Sequence, residues 1–66
     1  MLIKIKNYYY NYDNVFSLGF VDDHIYVLAR DGEACTYNSS PEEVLAAKED
    51  FEEACLSGRL FVELLN

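Results

Sequence analysis

Apolar and polar residues alternate near the start of the chain, a pattern that predicts a β-strand at 2–6. Ile3 and Ile5 share one face of this strand, which we expect to point into the core. The next segment, 8–12, is rich in tyrosine. If it is extended, three of its rings lie on one face, namely Tyr8, Tyr10 and Tyr12.

Three longer segments, 15–21, 24–30 and 33–37, are predicted as the other main strands. The segment 24–30 is apolar on both faces, which is typical of a central strand. In the segment 15–21, a glycine at position 19 indicates a bulge or close packing under a larger side chain. Three large apolar residues of that segment fall on one side: Phe16, Leu18 and Phe20.

Two short polar sequences indicate where the chain reverses. Asp31-Gly32 predicts a two-residue hairpin turn with positive φ values, so 33–37 returns antiparallel to 24–30. Asp22-Asp23 is predicted to turn the chain between 15–21 and 24–30.

The segment 40–58 carries the signals of the one helix. Ser40 is a favourable N-cap, Pro41 occupies the first helical position, and Glu43 completes a capping box. Gly58 is suited to the left-handed conformation that ends many helices. The predicted sheet-facing stripe recurs every three to four residues and is flanked by Leu45: Val44, Ala47, Phe51, Ala54 and Cys55.

These elements predict an α+β fold, a small antiparallel β-sheet of four to five strands packed by one α-helix. The order is β-β-β-β-α with a possible C-terminal strand, in a single domain over residues 1–66. The segment 59–65 is interpreted as that strand, and a short helix is the alternative.

The aromatic content exceeds what one helix covers. Six tyrosines and four phenylalanines argue against disorder and favour a homodimer or a partner-binding face on the uncovered side of the sheet. The alternative is aromatic pairing within the sheet. The candidate aromatic residues for a partner or dimer contact are Tyr8, Tyr10, Tyr12 and Phe61.

Charge narrows the class of partner. Twelve acidic and five basic residues give a net charge of −7, so direct binding of nucleic acid is unfavourable. We expect instead a basic protein surface, such as a groove that normally holds DNA or RNA. The alternative is that the acidity serves only solubility.

Six of the twelve acidic residues lie in the predicted helix, against a single Lys48. Glu49 and Glu53 are four residues apart, a like-charge spacing that costs an isolated helix roughly 0.2–0.5 kcal/mol. Carboxylates along a helix of ~25 Å would imitate a run of phosphates, although a solvated helix face is the alternative. The candidate acidic contacts are Glu42, Glu49, Asp50, Glu52 and Glu53, with Asp22 and Asp23 at the turn.

The sequence contains few residues suited to catalysis or metal binding. Cys35 and Cys55 fit no metal spacing, one histidine cannot complete a zinc site, and we expect no metal and no cofactor. Both cysteines are predicted to be buried free thiols, with a bridge between them as the alternative. His24 beside Asp23, or with Cys35, is the one acid–base or nucleophile set, and a turn role is favoured for it, so we expect no enzyme.

The chain contains no run of ~20 apolar residues and no secretory pattern at its start. We therefore expect a soluble, cytoplasmic protein that does not bind a membrane.

In size, acidity and one-sheet-one-helix plan the chain resembles the small phage and mobile-element proteins that inhibit bacterial defence systems, including anti-CRISPR proteins. The likeness covers the whole chain, and no residue role is carried over from it. It implies a non-enzymatic inhibitor acting in the cytoplasm of a bacterial host cell, several members of the class being nucleic-acid mimics. A second likeness is to small bacterial accessory proteins that open with a Lys-alternating strand and a turn such as Tyr12-Asp13-Asn14-Val15. It corresponds to the alternative function, a self-associating structural or regulatory module.

Overall fold

The computed structural model describes all residues, 1–66, as six strands and one α-helix. The elements are, in chain order, β1 (Leu2–Ile5), β2 (Tyr8–Asn11), a 3-10 turn (Tyr12–Asn14), β3 (Val15–Val21), β4 (His24–Ala29), β5 (Ala34–Asn38), α1 (Pro41–Ser57) and β6 (Phe61–Leu65). The predicted α+β class and the C-terminal strand are confirmed. The strands number six because the tyrosine segment forms its own strand, which ends before Tyr12.

The strands form two three-stranded sheets instead of one. The first sheet has the order β2-β1-β6, and the second has the order β3-β4-β5. All neighbours are antiparallel except β1 and β6, which run parallel with Ile3 opposite Val62. A parallel pair requires a long crossover connection, and here the whole of β2 to α1 provides it.

The helix begins and ends at the predicted residues. The Ser40 hydroxyl oxygen accepts a hydrogen bond from the Glu43 N–H at 3.2 Å and donates one to the Glu43 carboxylate at 3.0 Å. The hydrogen bond from the Ser40 hydroxyl to the carboxylate is the main cause that holds the pKa of Glu43 below its usual range. At the other end Gly58 has φ +68° and its N–H donates to the Ala54 carbonyl. The predicted N-cap, capping box and C-cap are confirmed.

The β4–β5 hairpin is confirmed, but its predicted two-residue turn is wrong. Ala29 N–H donates to the Glu33 carbonyl at 2.8 Å, and Gly32 N–H donates to the Ala29 carbonyl at 3.0 Å. The loop therefore contains three residues, and only Gly32 takes a positive φ, +95°. The Asp31 carboxylate instead accepts a hydrogen bond from the Glu33 N–H at 3.0 Å. A type I turn followed by a left-handed glycine is a common three-residue hairpin loop.

A bulge at the start of β3 changes which of its side chains face the core. The pairing with β4 shifts register between Val15 and Ser17, which leaves Phe16 unpaired. Val15 takes the inward position, and Phe16 is 69% exposed. Phe16 therefore does not join Leu18 and Phe20, which pack against the core.

The predicted structural role of Gly19 is wrong, because the bulge lies elsewhere in β3. A Cβ built on Gly19 would lie 3.8 Å from the Cβ of Tyr26, which is an ordinary contact. Neither a tight approach nor a positive φ requires glycine at this position.

One apolar core lies between the two sheets and the helix, and no polar or charged side chain is buried in it. Ile3 and Ile5 belong to it, as predicted, and β4 is the central strand of its sheet. The buried residues are Ile3, Ile5, Val15, Ile25, Val27, Tyr37, Val44, Ala47, Ala54, Val62, Leu64 and Leu65.

The predicted helix stripe is correct for three residues and partly correct for Phe51, which is half-buried against the core. Cys55 is exposed, so its place in the stripe is wrong. Cys35 is exposed as well, and both cysteines are free. The prediction of buried thiols is therefore wrong, and the alternative Cys35–Cys55 bridge is not formed.

No helix of the chain combines the length and the apolar character that crossing a bilayer requires.

Candidate protein-binding surfaces

The outward side of α1 carries a row of acidic and apolar side chains, which we call the acidic helix surface. Its members are all exposed: Glu42, Leu45, Glu49, Glu52, Glu53 and Leu56. Leu45, Glu49, Glu52 and Leu56 follow at intervals of four, three and four residues, so they lie on one helix face. The buried helix positions face the opposite way, which explains why Leu56 remains 90% exposed.

The carboxylates of the acidic helix surface have no cationic partner within the chain. The structure contains one Lys–carboxylate ion pair, Lys4–Glu63 at 2.7 Å, and a contact of 3.2 Å between His24 and Asp23, and neither involves α1. The cation of the helix, Lys48, is exposed. The charge of the acidic helix surface is therefore uncompensated by side chains of this molecule.

Asp50 and Asp22 lie on the two flanks of the helix instead of on its outward side. Asp50 lines a shallow depression of about 230 Å³ beside β6, together with Glu43 and Glu63. Asp22 lines a second depression of about 240 Å³, and Lys48 lines the same depression. Asp23 contacts His24. The structure therefore separates the predicted acidic residues into an outward row and two flanks.

The predicted aromatic residues lie in three different places. Tyr8 and Tyr10 approach Tyr37 of the second sheet, with ring centroids 5.8 and 6.3 Å apart. Tyr12, which the strand pattern placed beside them, packs instead on Phe51 of the helix at 5.5 Å. The three tyrosines do not share one face, because the chain leaves the strand conformation at Tyr12.

Phe61 lies on the outward face of the first sheet, opposite Leu2 in the β1–β6 register. Leu2, Tyr9 and Phe61 are 40%, 59% and 43% exposed on that face. Tyr10 is paired with the buried Ile3, so it belongs to the inward face. Phe61 and Tyr10 are thus on opposite faces of one sheet.

Tyr37 completes a cluster that the sequence did not reveal. The hydroxyl groups of Tyr10 and Tyr37 share a hydrogen bond, the one side-chain hydrogen bond that joins the two sheets. Burial raises the pKa of both phenols above 10.0, and Cys35 nearby raises it further. No local sequence pattern indicated the role of Tyr37, because its partner Tyr10 is 27 residues away.

Replacing Tyr37 with phenylalanine is expected to lower the free energy of unfolding by about 0.5–1.5 kcal/mol. The substitution removes the hydrogen bond between the sheets and leaves the Tyr10 hydroxyl unpaired. Urea unfolding followed by circular dichroism measures the change. Tyr9→Phe is the matched control, because Tyr9 is exposed on the outward face, and it is expected to change stability little.

The pH dependence gives a second readout for the same pair. Because the folded-state pKa values lie above the ordinary 10.0, the stabilisation is complete below pH 10.0 and is lost as pH rises through the folded-state values. The stability difference between the wild type and Tyr37→Phe should therefore narrow in alkaline solution. A difference that stays constant above pH 10.0 would contradict this role for the pair.

His24 and Cys35 do not form a nucleophile–base pair. His24 lies opposite Asn38 in the β4–β5 register, and Cys35 lies opposite the buried Val27. Alternation along the strands therefore puts His24 and Cys35 on different faces of the second sheet. The structure also contains no group of three or more His, Cys, Asp or Glu side chains arranged to hold a metal ion.

Comparison with protein-family models, with curated proteins and with solved structures finds no match to this chain.

Proposed function

We propose that this protein is a non-enzymatic, protein-binding inhibitor that docks its acidic helix surface on a basic surface of its partner. The observation that supports the proposal is the row of exposed carboxylates on α1, none of which has an ion-pair partner in the chain. Their mutual repulsion opposes helix formation, and no ion pair within the chain offsets it. A cationic partner surface would attract these carboxylates and offset their mutual repulsion.

The density of charge favours a nucleic-acid-binding surface as the target. The seventeen residues of α1 contain six acidic side chains, four on the acidic helix surface and two, Glu43 and Asp50, on the flank beside β6; together they give one negative charge per ~4 Å of a ~25 Å helix. One strand of DNA carries a charge every ~3.4 Å along its axis. A groove that binds a phosphate backbone would therefore meet a similar linear charge on this helix.

The two exposed leucines of the acidic helix surface supply apolar contact area for binding. Leu45 and Leu56 are 59% and 90% exposed at the two ends of the acidic helix surface. Apolar area buried on binding contributes roughly 25 cal/mol per Å², whereas exposed ion pairs contribute little. The leucines would thus add affinity to an orientation that the carboxylates select.

The resemblance to small inhibitors of bacterial defence directs the proposal to one class of partner. RNA-guided effector complexes hold nucleic acid in a positively charged channel. We place this protein in the cytoplasm of a bacterial host cell, occupying such a channel or a comparable basic groove in competition with DNA or RNA.

Charge reversal of the acidic helix surface tests the proposal. Glu49→Lys with Glu53→Lys changes the net charge from −7 to −3, since each reversal adds two charges. Binding of DNA by guide-loaded effector complexes of several types is measured with and without the protein. We expect the wild type to displace DNA from its partner complex and the double variant to be at least about tenfold weaker, corresponding to 1.4 kcal/mol.

A matched variant separates the helix surface from net charge. Asp13→Lys with Glu33→Lys makes the same change in net charge away from the helix, and neither side chain forms a hydrogen bond or an ion pair. It is expected to displace DNA nearly as well as the wild type. Equal loss in both variants would show that only net charge acts, and undiminished displacement by the helix variant would refute the proposal.

The alternative function is a self-associating structural or regulatory module whose acidity serves solubility. The outward face of the first sheet favours it, because Leu2, Tyr9 and Phe61 are exposed there and no element covers them. Under this alternative, helix charge reversal leaves partner binding intact, and Phe61→Ser reduces self-association.

A further inference from the structure

β3 lies at the edge of the second sheet and pairs with β4 alone. Ala29 N–H bonds to Glu33 of the β5 side, so Val27 and Ile25 also direct their main-chain groups to β5. The alternate residues of β4, Tyr26 and His24, therefore form their main-chain hydrogen bonds with Gly19 and Val21 of β3. The main-chain N–H and C=O groups of the intervening Leu18 and Phe20 point away from the sheet.

These outward groups have no partner in the molecule. No main-chain hydrogen bond outside the ladders, and no side-chain hydrogen bond, involves Leu18 or Phe20. The seven residues of β3 include no charged residue and no proline. Proteins usually protect an edge with such residues, so β3 is an open template for another strand.

The other edge strands are less suited to that role. β2, β5 and β6 contain four, five and five residues. The side chains of Tyr10 in β2 and Tyr37 in β5 bond to each other, and β6 packs against α1 and carries Glu63. β3 is the longest of the four edge strands, and it carries no charge.

The sequence of β3 is nearly symmetric about its central residue. VFSLGFV has Leu18 at the centre, valine at both ends and phenylalanine next to each end. In an antiparallel pair of two β3 strands centred on Leu18, the small residues Ser17 and Gly19 lie opposite each other on both sides of the centre. The bulge shifts Val15 and Phe16 out of this regular register, so Phe16 falls beside Phe20 and Val21 of the second copy instead of directly opposite Phe20.

We propose that β3 binds β3 of a second copy of this chain, antiparallel and with a two-fold axis at Leu18. The two second sheets then form one continuous six-stranded sheet. Leu18 of each copy exchanges two hydrogen bonds with Leu18 of the other, because its outward groups lie at a hydrogen-bonded position. Phe16, which the bulge leaves exposed, then lies at the seam between the two copies.

Each chain carries −7, so two copies repel each other overall, but the paired β3 strands are themselves uncharged. Beyond each end of the pair, the same register brings Asp22 and Asp23 of one copy toward Asp13 of the other, and this repulsion limits the affinity.

The dimer should be weak and reversible. One pair of strands buries less than the ~800 Å² per partner of a standard interface. The proposal does not rest on the proposed function, although a dimer would hold two acidic helix surfaces at a fixed separation.

The test is a dilution series of the isolated protein, followed by amide NMR and by sedimentation up to about 1 mM, the concentration range of weak association. As the protein concentration increases, the mean molecular mass should rise toward that of a dimer, and the amide resonances of Leu18 and Phe20 should shift. Those of Ala34 and Thr36, whose amides point outward on the β5 edge, are the internal control and should not move. A monomer with no shifts at the highest concentration, or shifts at the β5 edge instead, overturns the proposal.

A pair of variants tests the register. Phe16→Lys places a cation at the seam between the two copies, and because Phe16 is 69% exposed the fold should persist. It is expected to weaken dimerisation at least tenfold. Leu60→Lys makes the same change in charge at an 83% exposed residue away from β3 and should leave dimerisation unchanged. Association that survives Phe16→Lys, in a variant whose NMR spectrum is that of the folded protein, overturns the proposed pairing.

Discussion

Ile5→Ala is expected to lower the free energy of unfolding by about 2–5 kcal/mol. Ile5 is fully buried in β1, between Tyr8 of β2 and Leu65 of β6. Its truncation removes apolar contacts and leaves a cavity that a core of only twelve residues has few neighbours to fill. A domain of 66 residues has a total stability of roughly 3–10 kcal/mol, so this one substitution removes much of it.

Urea unfolding followed by circular dichroism measures this effect. Leu2→Ala is the matched control, since it deletes the same number of carbons from the same strand on the face where Leu2 is 40% exposed. It should cost less than half as much as Ile5→Ala. Should Ile5→Ala fail to fold, Ile5→Val is expected to cost about 0.5–1.5 kcal/mol. Equal effects of the Ile5 and Leu2 substitutions would contradict the assignment of the inward face.

Ala47→Leu is expected to destabilise the protein by about 1–3 kcal/mol, because it overfills the place where the helix meets β6. Ala47 is fully buried and lies beside Leu64 and Leu65. A larger side chain forces the helix away from that strand. In a domain of this size each kcal/mol lowers the unfolding temperature by about 4–8 °C, which thermal unfolding detects readily.

The neighbouring alanine supplies the control for helix propensity. Ala46 is exposed one residue earlier in the same helix, so Ala46→Leu changes propensity by the same amount without entering the core. It is expected to leave the unfolding temperature nearly unchanged. A loss of stability in Ala46→Leu as large as that in Ala47→Leu would mean that close packing at Ala47 is not the cause.

The stability substitutions and the binding substitutions involve different sides of the same helix. Val44, Ala47 and Ala54 face the core, whereas Glu49 and Glu53 face outward and have no ion-pair partner. Reversal of the outward charges should therefore alter binding without unfolding the domain. This separation makes the proposed function testable in a small protein with limited stability.

The helix could be predicted almost to the residue because its signals are local. Ser40 and Glu43 are three residues apart and bond to each other, and Gly58 acts through its own backbone conformation. The unpaired carboxylates of the candidate site were visible for the same reason, since helical spacing alone places them on the outward side. Asp50 and Asp22 were harder to assign, because their positions depend on where β6 and β3 meet the helix.

The aromatic residues show where local patterns fail. The alternation of Tyr8, Tyr10 and Tyr12 gave no sign that the strand ends at Asn11, or that Tyr37 approaches from the other sheet. The exposure of Phe16 depends on a bulge, which is set by the register with β4 and not by the residues of β3 alone.

The sequence by itself determined the helix and its caps, the inward face of β1, the place of the β4–β5 hairpin and the excess of negative charge. Each of these follows from residues within a few positions of one another, or from composition. Only the tertiary structure decided that the strands divide into two sheets, that β6 runs parallel to β1, and that both cysteines are exposed. Those features arise from competition among distant segments for burial in one small core, and no local pattern encodes the outcome of that competition.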